Sequence, residues 1–523
     1  MKKYYLTTPL YYVNAAPHIG HAYTTIAADI LARFKRLRGQ PVHFLTGTDE
    51  HGEKIEDAAR AAGKTPKAYA DEVSAKFADL WPKLGITHDD FIRTTEPRHE
   101  RRVQAVIERL LDTGDVYKGI YKGFFCVPDE TYWTETDAPP DEKGQRLCPN
   151  PECRRPLQAM EEEAYFFKLS RFQGPLLEHY RTHPEFLRPA QRANEVVRFV
   201  EEGLHDQSVT RSKFSWGIPM PSAPGHVVYV WFDALLNYAT AAGYNPPGLA
   251  PEDASPPGTF ESVWPADVHF VGKEIYRFHA VTWPAMLMAL GVPLPKTVFA
   301  HGWWTVEGQK MSKSKGNFLD PMEFVAEYGV DALRYFLFRE MPFGNDGDFS
   351  KEAFKRRYNS ELANDFGNLV SRVSQMVEKY LAGELPQTPS AQRPLAPEVL
   401  AQAGAVAEAL DRMAFQEALN LIWAVVRRLN EQVDKEKPWE KAKTDPASVP
   451  GLLYDLVWSL RAISVWVEPF MPETAKRMQS QLGFKAPASW NCADVLDGPG
   501  GARVRKEAAL FPRKQENAGQ KVP

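Results

Sequence analysis

The hydrophobic positions near the start of the chain follow two periods. The tyrosine-rich residues 3–8 predict a strand, and apolar positions such as Ile26 and Phe34 then keep helical spacing until Gly39. A second strand is predicted over residues 42–46. Strands and helices that alternate in this way favour a parallel sheet with right-handed crossovers, which binds ligands at the carboxyl ends of its strands.

The pattern changes twice further along. Short aromatic strands from about residue 114 to 224 predict an insertion, the strand-and-helix pattern returns over 227–301, and amphipathic helices over 351–482 predict a bundle. The residues after Phe511 are expected to form a frayed tail. The predicted class is therefore α/β, a Rossmann-like parallel sheet split by an insertion and followed by an α-helical bundle. The expected parts are the first half of the sheet domain (1–114), the insertion (115–225), the second half of the sheet domain (226–350) and the bundle with a short tail (351–523).

Composition narrows the class of protein. The chain has 523 residues, 63 Lys and Arg against 67 Asp and Glu, and a formal net charge of −4, which argues against a small basic nucleic-acid module. A hydrophobic share of 44% is enough for several cores. No apolar run reaches the roughly 18 residues that cross a bilayer, and the start lacks the apolar stretch of a signal peptide. We expect a soluble cytoplasmic protein with no membrane partner.

Three of the four cysteines, Cys126, Cys148 and Cys153, fall within 28 positions of one another. Four cysteines cannot form a disulfide scaffold for a chain of this length, so the cluster favours a metal. Three thiolates and the carboxylate of Asp129 would complete a tetrahedral zinc site. Two alternatives stay open, namely one structural zinc ion on these four residues or a loop that folds without metal.

Two motifs far apart in the sequence carry the strongest chemical signal. His18-Ile-Gly-His21 stands at a predicted helix start, where free backbone N–H groups and the positive dipole end attract phosphate. Lys310-Met-Ser-Lys-Ser314 lies in a loop, where two lysines would neutralise charge that develops on phosphate. Taken singly, the first motif could be a helix cap and the second a solvated basic loop.

Together, and in this order, the two motifs resemble the HIGH and KMSKS signatures of class I aminoacyl-tRNA synthetases. Further segments are similar to the methionyl-tRNA synthetase family, and the resemblance covers essentially the whole chain. These segments are Pro9-Leu-Tyr-Tyr12, Thr48-Asp-Glu-His-Gly52, Trp231-Phe-Asp-Ala234 with Tyr238, Gly272-Lys-Glu-Ile-Tyr-Arg-Phe-His279 and Trp283-Pro-Ala285.

The resemblance implies a ligase that makes methionyl-adenylate and pyrophosphate from L-methionine and ATP with Mg, then transfers the methionyl group to the 3′ end of tRNA(Met), for both initiation and elongation. It implies four catalytic residues, His18, His21, Lys310 and Lys313. The implied ATP-binding set is Tyr12, His18, Gly20, His21, Gly272, Glu274, Lys310, Met311, Ser312, Lys313 and Ser314. Glu274 departs from the family, which commonly has Asp beside the ribose at this position.

The resemblance also implies a methionine pocket in which Asp49 binds the ammonium group. The residues implied around the side chain are Leu10, Tyr12, Trp231, Tyr238, Ile275, Phe278, His279 and Trp283. Trp231 and Tyr238 are seven positions apart, and His279 and Trp283 four, so each pair is expected on one helical face. Aromatic walls suit a polarisable thioether, although the same residues could be ordinary core.

In the helical region, Trp439 follows a charged run and resembles the family's anticodon-reading tryptophan, with Asn359 and Arg372 as weaker anticodon candidates. Trp439 could instead be an ordinary partly buried residue. Two rival functions remain, a synthetase for another apolar or sulfur amino acid and an inactive relative that only binds RNA. The region after Phe511 is too short for an appended RNA-binding and dimerising module, so we expect a monomer.

Overall fold

The computed structural model describes residues 2–129, 131–133, 135, 137–151, 153–306, 308–310, 319–387, 393–484, 489–490 and 500–514. The described part contains a parallel sheet, an antiparallel sheet between its two halves, and a helical bundle. The α/β class with a split parallel sheet is thereby confirmed. Among these residues no helix is both long and apolar enough to cross a membrane.

The first part of the chain supplies one half of the parallel sheet. Its strands are β1 Tyr4–Thr7, β2 Tyr11–Tyr12, β3 Val42–Asp49 and β4 Asp90–Arg93. Its helices are α1 Ile19–Leu37, α2 Glu53–Ala61, α3 Pro66–Lys83 and α4 Pro97–Asp112.

The inserted part is mainly an antiparallel sheet. Its strands are β5 Val116–Cys126, β6 Thr131–Trp133, β7 Gln158–Phe167, β8 Leu187–Arg188, β9 Gln207–Ser208 and β10 Thr210–Arg211, and its helices are α5 Gln173–Thr182 and α6 Ala190–Glu201. Strands β6, β5, β7 and β9 form the antiparallel sheet in that order. Strand β8, in contrast, pairs in parallel with a strand of the main sheet, so the insertion is not wholly separate from it.

The chain then completes the parallel sheet. The strands of this part are β11 Val227–Val228, β12 Val268–Gly272, β13 Val298–His301, β14 Trp304–Val306, β15 Gln309–Lys310 and β16 Gly347–Phe349. Its helices are α7 Val230–Ala241, α8 Thr259–Val263, α9 Trp283–Leu290, α10 Pro321–Tyr328 and α11 Val330–Arg339, with a π-helical turn over Phe278–Thr282.

The last part is the predicted bundle. It comprises α12 Lys351–Arg357, a π-helical segment Tyr358–Gly367, α13 Asn368–Leu381, α14 Ala396–Asp411, α15 Phe415–Glu436, α16 Pro438–Thr444, α17 Val449–Val467 and α18 Pro472–Gln481. The boundaries between the four predicted parts stay predictions, and one hydrophobic core runs from Leu6 through the bundle to Phe511.

The main sheet joins the two halves along its centre. Its order is β2, β3, β1, β12, β13 and β8, with β4 also paired to β3, and every ladder is parallel. Strand β1 lies between β3 and β12, with Leu6 opposite Val268. Because the strands are parallel, their carboxyl ends share one edge, where ligands of such sheets bind.

Helix α1 begins at the histidine motif, as predicted. The backbone of α1 starts at Ile19, because the side chains and backbones of His18 and His21 form a reciprocal capping box. Gly39, with a φ of 75°, follows the last turn as predicted.

The expected tail after Phe511 is wrong for residues 512–514. The Tyr358 hydroxyl donates to the Pro512 carbonyl at 3.0 Å, and the Asn359 side chain bonds both the N–H and the carbonyl of Lys514. Backbone groups bonded in this way are ordered. Phe511 itself is buried against Tyr358 and Phe366.

Candidate active site

A cavity of about 380 Å³ opens at the carboxyl edge of the main sheet. Its wall draws on the residues after β1, the start of α1, the end of β3, helix α7 and the segments after β12 and β13. The predicted site residues in this wall are Leu10, Tyr12, His18, Gly20, His21, Asp49, Trp231, Tyr238, Gly272, Glu274, Ile275 and His279. The structure thus brings segments of distant sequence into one chamber.

Two residues expected in the methionine pocket lie behind that wall. Phe278 stacks on Trp231 with ring centroids 4.0 Å apart, and Trp283 is fully buried with its Nε1 3.3 Å from His269 Nε2. The spacing of four between His279 and Trp283 suggested a common helical face. The turn there is π-helical, yet both rings pack on Tyr238, with centroids 5.6 Å (His279) and 5.8 Å (Trp283) from its ring, so the two side chains share one face as predicted.

Both motif histidines use Nδ1 to accept a backbone hydrogen bond at the start of α1. His18 Nδ1 accepts from the Gly20 N–H at 3.0 Å, and His21 Nδ1 accepts from the His18 N–H at 3.1 Å. In each neutral ring the proton is therefore on Nε2, which makes both Nε2 atoms hydrogen-bond donors. Burial, with the neighbouring His18 as a smaller cause, holds the pKa of His21 well below its ordinary value. The ring centroids lie 3.9 Å apart.

The absence of a side chain at Gly20 leaves room for the His18 ring. A Cβ at this position would lie 2.8 Å from His18 Cε1, so any side chain would displace the His18 ring from its cap. The helix start therefore depends on glycine between the two histidines.

The far end of the cavity holds a neutral polar pair. Tyr238 Oη lies 2.7 Å from His279 Nε2, and His279 Nδ1 lies 3.0 Å from the Ile275 carbonyl. Since a carbonyl only accepts, His279 carries its proton on Nδ1 and accepts from the Tyr238 hydroxyl on Nε2. Burial lowers the pKa of His279 to about 4, so the imidazole is neutral near pH 7.

One carboxylate faces the same chamber from the sheet. Asp49 ends β3, is 8% exposed, and stands opposite Tyr12 in the β2–β3 ladder. A buried carboxylate in an otherwise largely aromatic wall is suited to a cationic group such as an ammonium.

A buried network behind the wall was missed from the sequence. Asp233 accepts from His51 Nδ1 and from His99 Nε2, each at 2.7 Å. Burial alone would raise the pKa of Asp233, but the two histidines outweigh it and hold the pKa below its ordinary value. The network ties α7 to the end of β3 and to α4. His51 and Asp233 stand inside two of the motif segments, which is the signal that could have identified them.

A further contact links α1 to β13. Thr24 Oγ1 lies 2.7 Å from His301 Nε2, and both residues line the cavity. His301 Nδ1 donates to the Gly302 carbonyl at 2.8 Å, so Nε2 accepts from the threonine hydroxyl. This contact fixes the first turns of α1 against the sheet edge.

The lysine motif is only partly described. Lys310 ends β15 and pairs with Thr305 of β14, which places its backbone after β13. Met311, Ser312, Lys313 and Ser314 lie outside the described residues.

The cysteine cluster has ligand atoms close enough for one metal ion. The donor atoms of Cys126, Asp129, Cys148 and Cys153 all lie within 4.8 Å of one another, and the Cys126 and Cys153 sulfurs are 3.4 Å apart. A tetrahedral zinc with Zn–S bonds of about 2.3 Å separates its sulfurs by roughly 3.8 Å, so the residues fit such an ion. Asn150 Nδ2 donates to Asp129 Oδ2 at 3.0 Å and orients the carboxylate. Asp129 also belongs to the cavity wall.

The anticodon candidates separate into two places. Trp439, on α16, is 38% exposed, and the Arg372 guanidinium lies 5.8 Å from its ring centroid. Arg372 also donates to Asp434 at 2.9 Å. Asn359 instead bonds the backbone of Lys514, so its side chain amide is engaged within the fold.

Comparison with known proteins agrees with this architecture. The profile of the family "tRNA synthetases class I (M)" matches residues 4–374, and with the split parallel sheet and its edge cavity it defines a class I aminoacyl-tRNA synthetase. The profile "Anticodon binding domain of methionyl tRNA ligase" matches residues 386–513. The chain belongs to the methionyl-tRNA synthetase family. The predicted family, fold class and enzyme class, a ligase, are confirmed.

Individual relatives span nearly the whole chain. The methionine–tRNA ligase of Caldanaerobacter subterraneus subsp. tengcongensis is 49% identical over 519 residues, 98% of this chain and 79% of that protein. The Streptomyces coelicolor methionine–tRNA ligase is 46% identical over 535 residues, 98% of this chain and 97% of that protein. The solved Mycobacterium tuberculosis methionyl-tRNA synthetase in complex with methionyl-adenylate matches with a TM-score of 0.91 at 41% identity, over 98% of this chain and 100% of that one.

Proposed function

We propose that this chain joins L-methionine to tRNA(Met) in two steps, for use in both initiation and elongation. The methionine carboxylate attacks the α-phosphorus of ATP, which forms methionyl-adenylate and releases pyrophosphate. A hydroxyl of the terminal tRNA ribose then attacks the methionyl carbonyl, and AMP leaves. The observation that carries this proposal is the placement of the His18–His21 pair, Asp49 and the Tyr238–His279 pair in one cavity.

The methionine end of the cavity follows from its chemistry. Asp49 would bind the ammonium group, and Leu10, Trp231 and Ile275 would enclose the thioether chain. Sulfur–ring contacts contribute about 0.3 to 1.5 kcal/mol each. The Tyr238 hydroxyl donates to His279, so the orientation of this hydroxyl is fixed and the pair carries no charge.

The phosphate end relies on donors and charge rather than on an enzyme nucleophile. His18 and His21 direct their Nε2–H groups from the start of α1, and we assign the lysines Lys310 and Lys313 to neutralise the transferring phosphate. Mg, bound with ATP, would neutralise further phosphate charge. The remaining ATP-binding assignments, Tyr12, Gly20, Gly272, Glu274, Met311, Ser312 and Ser314, are part of the same proposal.

The tRNA partner is assigned to the bundle. The exposed Trp439 ring would stack on an unpaired anticodon base beside Arg372. The Asn359 assignment loses support, because its amide holds Lys514. We also propose a monomer in the cytoplasm.

We propose one structural zinc on Cys126, Asp129, Cys148 and Cys153, supported by the fit of their donor atoms. Such an ion cross-links a small, core-poor segment and takes no part in the reaction steps.

Pyrophosphate exchange measured separately with each of the twenty amino acids tests the proposal. Methionine alone should support rapid exchange, and charging of tRNA(Met) should follow. Faster exchange with another apolar amino acid would assign a different substrate, and RNA binding without any exchange would indicate the inactive relative.

A further inference from the structure

Two segments that leave neighbouring strands meet at the cavity edge. Glu274 follows β12 and Trp303 follows β13, whose last residues Gly272 and His301 are partners in the ladder. Trp303 Nε1 donates to Glu274 Oε2 at 2.6 Å. Both side chains belong to the cavity wall.

The backbone and the ring of Trp303 are held from several sides. Its N–H donates to Asp346 Oδ1 and its carbonyl accepts from the Gly347 N–H, each at 2.8 Å. Lys273 Nζ lies 4.1 Å from the ring centroid and 2.7 Å from Asp346 Oδ2. Lys273 therefore contacts the face of the indole, and Glu274 accepts the hydrogen bond from its N–H. The indole is a fixed donor.

The Glu274 carboxylate is folded back towards its own strand. A Cβ at Gly272 would lie 2.5 Å from each of the two carboxylate oxygens. The long glutamate side chain therefore occupies the space that a side chain at position 272 would fill. The carboxylate is therefore drawn in close to the end of β12.

We infer that Trp303 is a positioning residue for the nucleotide, because its indole N–H holds the Glu274 carboxylate where Oε1 accepts a hydrogen bond from an ATP ribose hydroxyl. This inference rests on the proposed function. A free glutamate side chain would lose rotamer freedom on binding the ribose, and the bond to Trp303 removes that freedom beforehand.

The test is the preference for ATP over 2′-deoxyATP and 3′-deoxyATP in methionine-dependent pyrophosphate exchange. A hydrogen bond to a charged acceptor contributes about 1.5 to 3 kcal/mol, so the wild type should prefer ATP over one of the two analogues by about 10- to 150-fold in kcat/KM. Trp303→Phe keeps a ring but loses the N–H. It should reduce that preference by about tenfold while KM for methionine changes less than about twofold.

Two further variants separate positioning from general damage. Trp304→Phe makes the same change one residue along, where the indole Nε1 has no hydrogen-bond partner in the described part of the chain, and it should keep the ribose preference. Glu274→Asp should weaken the preference alone, because the shorter arm leaves the indole, and should add little in the Trp303→Phe background.

An unchanged ribose preference in Trp303→Phe would overturn the inference, as would equal losses with ATP and both analogues. Additive effects of Trp303→Phe and Glu274→Asp would overturn it as well. A wild-type protein that shows no methionine-dependent exchange would instead overturn the proposed function, so the two failures are distinguishable.

Discussion

Arg334 and Asp29 form an ion pair between two fully buried side chains, with 2.6 Å between Arg334 Nη2 and Asp29 Oδ2. Asp29 lies on α1, the helix that begins with the two motif histidines, and Arg334 lies on α11. The same guanidinium donates to the carbonyls of Leu84, Pro469 and Phe470. One side chain therefore connects the histidine-bearing helix to the loop that precedes α18.

Replacing this arginine should be costly. Arg334→Met leaves Asp29 buried with Arg33 and Thr87 as remaining partners, and removal of one member of a buried pair costs about 3 to 5 kcal/mol. Urea unfolding measures the loss. The control is Arg412→Met, which breaks a pair with Glu417 that is half exposed and should cost about 0 to 1 kcal/mol. Equal losses in the two variants would contradict the prediction.

Tyr238→Phe should weaken methionine binding more than ATP binding. The change leaves His279 Nε2 without its donor in a buried position, which costs about 1 to 3 kcal/mol. KM for methionine should rise by about 5- to 150-fold, and KM for ATP should change little. As a control for stability, Tyr23→Phe removes a buried hydroxyl that has no partner among the described residues and should be nearly neutral in urea unfolding.

The buried histidines should make the protein sensitive to acid. His279 has its pKa lowered by burial from about 6.5 to about 4, so between these values the unfolded chain binds a proton that the folded protein does not. The free energy of unfolding should therefore fall as the pH drops from about 6.5 to about 4, and it should not depend on this group above that window. His21 and His269, with lowered pKa values, act in the same direction.

Urea unfolding between pH 8 and pH 4 measures this dependence. His279→Gln removes the titrating group and should show a shallower decline than the wild type. Identical slopes would mean that His279 does not contribute.

His21→Asn should remove the catalytic donor of His21 and keep its role in the helix cap. The asparagine oxygen can still accept from the His18 N–H, whereas the donor at Nε2 is lost. Loss of one preorganised donor typically slows reaction by about 10² to 10³. Pyrophosphate exchange should slow by that factor with little change in thermal unfolding.

Lys313→Ala is the matching test of the lysine motif. It should raise the activation free energy of pyrophosphate exchange by about 3 kcal/mol. Normal exchange in either variant would remove that residue from the catalytic set.

Trp439→Ala should affect tRNA and not adenylate formation. Stacking on a base contributes about 1 to 3 kcal/mol, so aminoacylation kcat/KM should fall by about 5- to 150-fold. Pyrophosphate exchange without tRNA should stay within about twofold, since α16 is not part of the cavity wall. Trp439→Phe keeps an aromatic face and should retain most of the activity. Parallel losses in both assays would identify Trp439 as structural.

Local patterns predicted most of the architecture. The spacing of apolar residues located α1 and the bundle, and the HIGH motif could be placed at a strand end because strand, turn and helix are consecutive in the sequence. The cysteine cluster could also be identified, because its members are close together in the sequence.

The missed features depend on distant pairing. Asp233 meets His51 across 182 positions, and β8 joins the main sheet only through β13. The π-helical turn before Trp283 is not marked by any residue type in the sequence. The order of residues 512–514 likewise comes from partners more than 150 positions earlier.

The central position of β1 has a consequence for synthesis on the ribosome. Strands β1 and β3 are made before the insertion, whereas β12, the other partner of β1, is made only after it. At about 5 to 20 residues per second, one edge of the nascent β1–β3 pair stays open for tens of seconds. Unpaired edges of this kind recruit other strands. The split sheet thus makes the nascent chain, rather than the finished enzyme, the species that most needs a chaperone.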